Sequence, residues 1–177
     1  GPDGIYRHDM AHPGQPAEEY FTRNQTPLDV NGNHRCVACH VLSRDGTKMA
    51  VTYDGGNSLG TVLDVATKTP QADFVAWNFA TFTPDGKQVV AVVRDGSVRA
   101  YDLANGGERR LGRAESSPEV LAMSPDGSVA VTGGMLGEIT VWPLDERSRD
   151  PKVIGRADRA VASIHFSADR ARVLVHF

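Results

Sequence analysis

Cysteine is scarce in this chain. Its 177 residues hold two, Cys36 and Cys39, so a disulfide framework is excluded as the source of stability. Neither sign of charge dominates. The formal net charge is −3, and nothing electrostatic favours a nucleic-acid partner. Long apolar runs are missing too. None approaches the roughly 18 residues that a spanning helix needs, so no membrane span is expected in this segment. No glycine-rich loop follows a strand and opens a helix to cradle phosphate, and no nucleophile–base spacing stands out among the scattered histidines and carboxylates. The chain opens with Gly1 rather than Met. It reads as an excerpt or a processed product, and a missing leader then carries no information about location.

What the chain has is a repeat. Residues 40–53 read HVLSRDGTKMAVTY, residues 80–93 ATFTPDGKQVVAVV, residues 121–134 LAMSPDGSVAVTGG, and residues 164–177 IHFSADRARVLVHF. Each window has an alternating stretch, a tight turn and an apolar β-rich stretch. The turns are expected at Asp45-Gly46, Asp85-Gly86, Asp126-Gly127 and Asp169-Arg170, since Asp and Gly both tolerate positive φ. A second hairpin follows. Asp95-Gly96 leads into Ser97–Leu103, Gly137 into Ile139–Leu144, and Gly60 into Thr61–Val65. A polar turn and a fourth short strand end in Leu111-Gly112-Arg113-Ala114 or Ile154-Gly155-Arg156-Ala157. Four strands per period of about 40 residues is the signature of a propeller blade. The aspartates of the ladder Asp45, Asp85, Asp126 and Asp169 read as turn residues capping their own backbone. Trp77 and Trp142 read as packing between blades, and Arg147, Arg149 and Lys152 as a solvated loop face.

On these residues the chain resembles the WD-repeat and TolB-like β-propeller families over nearly its whole length. The S-P-D-G turn and the Tyr101-Asp102 pair match the family pattern, whereas Trp142-Pro143 departs from it. The Gly-His dipeptide of eukaryotic members is replaced by Gly-Arg, which points to a bacterial member. The resemblance implies an all-β fold of four-stranded antiparallel blades and a protein partner docked on a propeller face. Residues 3–10 look like the third strand of one blade and residues 164–177 like the first half of another. The whole of 1–177 is then one propeller segment, a half-blade, three full blades and a half-blade. It is either an arc of a larger ring or, with residues 3–10 paired to residues 170–177, a closed ring of four.

The spacing is irregular once. Asp64 and Asp102 are 38 residues apart, but Asp9 and Asp64 are 55 apart. About 15 extra residues are expected around Asn24 to Arg35, so that 24–40 is an inserted loop leading into Cys36-Val37-Ala38-Cys39-His40. C-x-x-C-H is the attachment signature of a c-type haem, with thioether bonds from Cys36 and Cys39 and His40 as iron ligand. The other readings are a reversible C-x-x-C disulfide, which lacks its usual thioredoxin-like context, a zinc site, which lacks two further ligands, and two incidental small thiols with a core histidine. His40 shares its column with Ala80, Leu121 and Ile164, two residues before Leu42, Phe82, Met123 and Phe166. Period-2 alternation makes this the buried face, so His40 is expected in packed surroundings. On an extended strand Cys36 and Cys39 face opposite sides roughly 10 Å apart. If they act together, residues 36–39 must form a helical or tight turn and the strand must begin near Val41. A sixth iron ligand is expected from Met10 or His8, ahead of His12, His34 and Met49; Met49 has a core column of its own.

The reading is an exported propeller protein, in the periplasm or at the cell surface, with one covalent haem c and a role in electron transfer or redox sensing. Its rivals are a plain protein-interaction scaffold without cofactor, and a fragment of a propeller oxidoreductase.

Overall fold

The computed structural model describes residues 4–54, 59–74, 77–145 and 150–177, with the backbone alone for 72–74. Asp3, Arg147 and Arg149 lie outside the described residues. Lys152 begins a strand with its side chain exposed, so it is not part of a loop.

Sixteen strands follow one another in pairs of hairpins. The first complete sheet is β3 (Val37–Leu42), β4 (Lys48–Tyr53), β5 (Gly60–Asp64) and β6 (Pro70–Phe74). The second is β7 (Trp77–Phe82), β8 (Gln88–Val93), β9 (Ser97–Asp102) and β10 (Glu108–Arg113). The third is β11 (Pro118–Met123), β12 (Val129–Gly134), β13 (Glu138–Pro143) and β14 (Lys152–Arg156). Every neighbouring pair in them is antiparallel. A two-stranded sheet stands at each end, β1 (Gly4–Arg7) with β2 (Glu18–Thr22), and β15 (Ser163–Phe166) with β16 (Val173–His176). The first strands β3, β7, β11 and β15 stand side by side in that order.

The two half-sheets stay separate, so among the described residues the ring is not closed. The four-bladed closure expected as one alternative is not formed. Apolar layers fill the gaps between neighbouring sheets.

Those layers follow from period-2 alternation. In the first complete sheet Met49, Val51, Tyr53 and Leu63 face β1–β2 and pack with Ile5, Tyr20 and Phe21. Ala50 and Val62 face the other way and pack with Trp77, Phe82, Val89, Ala91, Val93 and Tyr101. The second sheet gives its opposite face, Val90, Val92, Val98 and Ala100, to Ala130 and Trp142. Val131 and Ile139 then meet Val161 and Ile164. Trp77 and Trp142 thus pack between sheets, and the Trp142 indole donates to Thr132 Oγ1 at 2.8 Å.

The four turns form where expected, with a different geometry. Gly46, Gly86, Gly127 and Arg170 carry φ of 71°, 65°, 75° and 65°, while the aspartates before them do not. The amide of each donates to the carbonyl three residues back, in Ser43, Thr83, Ser124 and Ser167. This is a type I turn closed by one left-handed residue rather than a two-residue turn with two. In each, the Ser or Thr hydroxyl donates to the aspartate at 2.6–2.7 Å. The amide two residues past the aspartate donates to the same carboxyl at 3.0–3.1 Å. Arg170 sits where the others have glycine, and its guanidinium reaches back to Asp126 at 2.8 Å.

These donors favour the charged carboxylate. The Ser43 hydroxyl and the Thr47 amide hold Asp45 down at about 2, and the side chain and amide of Ser97 hold Asp95 there too. Asp85, Asp126 and Asp169 are lowered by the same kind of hydroxyl contact. A carboxyl whose pKa is lower folded than unfolded stabilises the fold above its unfolded value. That contribution is lost as pH falls through the folded value. The urea midpoint should therefore hold from neutral pH to about pH 4 and fall between about pH 4 and pH 2. A flat midpoint across that window would show that the turns contribute nothing through these carboxylates.

Candidate functional site

The C-x-x-C-H stretch lies on β3, the edge strand of the first complete sheet. Residues 37–40 are extended and the strand begins at Val37, not near Val41, so the helical or tight turn that would unite the thiols is not formed. Val37 pairs with Tyr53 and His40 with Val51, and the register breaks between them, leaving a bulge at Ala38 and Cys39. The residues before the motif are held well. The Cys36 amide donates to Asp54 Oδ1 at 3.0 Å, and the Asp54 amide donates to the Cys36 carbonyl at 3.0 Å. Arg35 Nη1 lies 2.7 Å from Asp54 Oδ2. After the bulge the ladder resumes, with His40, Val41 and Leu42 opposite Val51, Ala50 and Met49, and the contacts at the bulge itself are long. Thr52 Oγ1 is 3.4 Å from the Cys39 carbonyl, and His40 Nδ1 is 3.5 Å from the Ala38 carbonyl.

His40 is exposed, contrary to its expected burial, and Leu42 is 53% exposed. In the same column Phe82 is buried, while Met123 and Phe166 are half-buried. The cause is the neighbouring sheet. His40 and Leu42 pair with Val51 and Met49, which face β1–β2. Among the described residues the two strands β1 and β2 stand there, and they leave His40 and Leu42 exposed. Cys39 and His40 both line a cleft of about 80 Å³, with Val41, Trp77 and Phe79. Cys36 is half-buried, Cys39 is exposed, and neither is in a disulfide.

The expected sixth ligands are elsewhere. Met10, 83% exposed, and His8 lie between β1 and β2. That end of the half-sheet adjoins Val65 and Lys68, where Tyr20 donates to the Val65 carbonyl and lies under the Lys68 ammonium. Cys36 adjoins Asp54, at the other end of the sheet. His12 is paired with Asp9 at 2.7 Å, and His34 Nδ1 is 3.0 Å from the Thr26 carbonyl. Met49 is buried in the core. Among the described residues no three His, Cys, Asp or Glu side chains converge as metal ligands.

Part of the extra length is in segment 8–17 between β1 and β2, and part is in loop 23–36. The loop is stapled rather than free. It opens with a 3-10 turn, Arg23–Gln25. Buried Thr26 donates to the carbonyls of Arg23 and Arg35, and the Arg23 guanidinium donates to the His34 carbonyl. The Asp29 carboxylate takes the amides of Asn31 and Asn33.

One buried carboxylate escaped the sequence reading. Glu138, at the start of β13, is 2% exposed. Its Oε1 accepts from the Ser116 amide at 2.8 Å and the Ser116 hydroxyl at 2.5 Å, and its Oε2 has no hydrogen-bond partner among the described residues. It occupies the column of Ser97 and ties the β12–β13 turn to the segment joining the second and third sheets. A glutamate one residue after the turn glycine Gly137, where β9 has serine, is the signal that marks it.

Four-stranded antiparallel sheets with face-to-face apolar layers and adjacent first strands define β-propeller blades. The comparisons agree. No family model matches the chain. Residues of this chain are 35% identical over 71 positions to WD repeat-containing protein 55 of Rattus norvegicus, a stretch covering 40% of this chain and 18% of that protein. The chain thus spans less than a fifth of the length of that curated relative. In structure it resembles a chain in the crystal structure of the mitotic checkpoint complex, with a TM-score of 0.70 and 17% identity over 90% of this chain and 49% of that one. It also resembles Kuenenia stuttgartiensis hydrazine synthase, with a TM-score of 0.64 and 20% identity over 76% of this chain and 40% of that one.

Proposed function

We propose that this propeller segment docks a protein partner and carries one c-type haem on Cys36, Cys39 and His40, serving electron transfer or redox sensing in an exported protein of the periplasm or cell surface. The observation that carries the reading is the placement of two uncrosslinked thiols and an exposed imidazole within five consecutive residues, Cys36 just before an edge strand and Cys39 and His40 at its register break. The chemistry of this donor set fits a haem. Cys36 and Cys39 would hold the group through two thioether bonds, each S–H adding across one vinyl double bond, sulfur to one carbon and hydrogen to the other, so that attachment would need no outside oxidant. The backbone is extended from Val37 onward and does not form the turn that would unite the two thiols, so residues 37–39 must leave the ladder and close one. The bulge lowers what that costs, because few ladder bonds hold this stretch. Bound haem supplies a one-electron couple. His40 would ligate the iron, and Met10 or His8 would reach it only after segment 8–17 moved.

The likeness to a WD-repeat protein supports a second reading, an interaction scaffold without cofactor. One experiment separates them. Made in a host that exports the chain and installs c-type haem, the protein should gain the mass of one haem and a Soret band that survives acid–acetone extraction. Made in the cytoplasm, it should be colourless. An apo mass from the haem-competent host, with both thiols open to alkylation, would remove the haem reading and leave the scaffold.

A further inference from the structure

We propose that Asp54 is a positioning residue for the thiol pair, anchoring Cys36 while residues 38–40 leave the β3 ladder. The inference deepens the haem reading and rests on it for its purpose, though the anchor itself is a property of the haem-free chain.

Asp54 grips the backbone of one residue, Cys36, at both its amide and its carbonyl. Its amide donates to the Cys36 carbonyl and its Oδ1 accepts the Cys36 amide, each at 3.0 Å. Its Oδ2 takes Arg35 Nη1 at 2.7 Å, in an ion pair whose side chains are 17% and 34% exposed. Both carboxylate oxygens are therefore committed, one to Cys36 and one to the residue before it. The backbone is unusual too. Asp54 has φ 54°, a left-handed conformation that residues with a Cβ seldom adopt. Such strain persists only where the surroundings over-determine it, and it gathers at functional sites.

The third sheet shows what is ordinary here. Met135 holds the corresponding place and donates its amide to the Ser117 carbonyl in the same way. It has neither the left-handed backbone nor a carboxylate. The grip of a side chain on the residue before the strand is thus present in the sheet that carries the thiols and absent at the corresponding place in the third sheet. Downstream the contrast is sharp. After the Val37–Tyr53 pair the register breaks at Ala38 and Cys39, where the Cys39 carbonyl has the 3.4 Å contact from Thr52 Oγ1, before His40 rejoins the ladder opposite Val51. For both sulfurs to meet one porphyrin edge, Cys39 must swing toward Cys36. A firm Cys36 and a loosely held Cys39 make Cys36 the pivot, so only one thiol has to search.

The test is alkylation of the two thiols by iodoacetamide in the haem-free full chain, resolved by peptide mass. In the wild type Cys39 should react faster than Cys36. Asp54→Gly accepts the left-handed φ but removes the carboxylate. It should raise the Cys36 rate relative to Cys39 by about tenfold, the size expected from losing a hydrogen bond to a charged group. Asp54→Asn keeps an oxygen for the Cys36 amide and should fall between the two. Arg35→Met cuts the ion pair and leaves the Cys36 bonds in place, so it should raise the ratio about threefold. Where Asp54→Gly unfolds, both rates rise together, and the Asn and Met variants then decide. An unchanged ratio in folded variants overturns the proposal. A wild-type chain that never takes up haem fails the haem reading alone, because the ratio is read without haem. A wild type that takes up haem, with Asp54→Gly doing so equally and at an unchanged Cys36 rate, fails the anchor alone.

Discussion

Replacing Trp77 with alanine is expected to cost about 3–5 kcal/mol of stability, the range for removing a large aromatic side chain from a packed interior. Trp77 is 1% exposed in the layer between the first two complete sheets. Its indole lies against Gly60, where a Cβ would come within 2.5 Å of the ring, and its centroid is 5.9 Å from that of Tyr101. The site cannot collapse easily, because Val62 and Val89 are fixed in separate hydrogen-bonded sheets. Urea unfolding gives the measurement. A loss below about 1 kcal/mol, the size of an ordinary point substitution, would show that this layer does not hold the two sheets together.

Glu138 gives the second large effect, and here the choice of substitute decides. Glu138→Ala strands the amide and hydroxyl of Ser116 without their buried acceptor. Each stranded group costs about 1–3 kcal/mol. Glu138→Gln keeps an oxygen in the Oε1 position and removes a buried charge whose second oxygen has no hydrogen-bond partner among the described residues. It should be neutral or stabilising. The same pair can be read locally by hydrogen exchange at Leu136, whose amide lies 3.3 Å from the Ser116 hydroxyl. The Ala variant should speed that exchange and the Gln variant should not. Equal losses in both variants would mean that the negative charge itself holds the turn.

The blades were legible because their signals are local. A hydroxyl, an aspartate and a left-handed residue in fixed order specify a turn from a few neighbouring residues, and alternation around it assigns the two faces. Arg170 shows that this holds even where glycine is missing. Burial at His40 and Leu42 was not legible, because it depends on which strands of the preceding sheet stand opposite, and alignment of columns treats every blade as having a full neighbour. The conformation of residues 36–39 was hidden for a related reason. A bulge is settled by pairing with β4, which spacing within the motif does not describe. Asp54 was invisible as a partner of Cys36, since 18 residues and a hairpin separate them.

The apolar layers lie between sheets, and each complete sheet lends one face to each of two layers. The unit by which such a chain lengthens is therefore the gap and not the blade. A duplicated sheet spliced in after β6 would arrive with two half-layers of the right kind and leave no new greasy surface. Excising the second sheet would bring Ala50 and Val62 against Ala130 and Trp142, small residues against a large one, which is the same match that Trp77 now makes. Growth and loss by whole repeats are thus nearly neutral in contacts, whereas a cut inside a sheet exposes two layers at once.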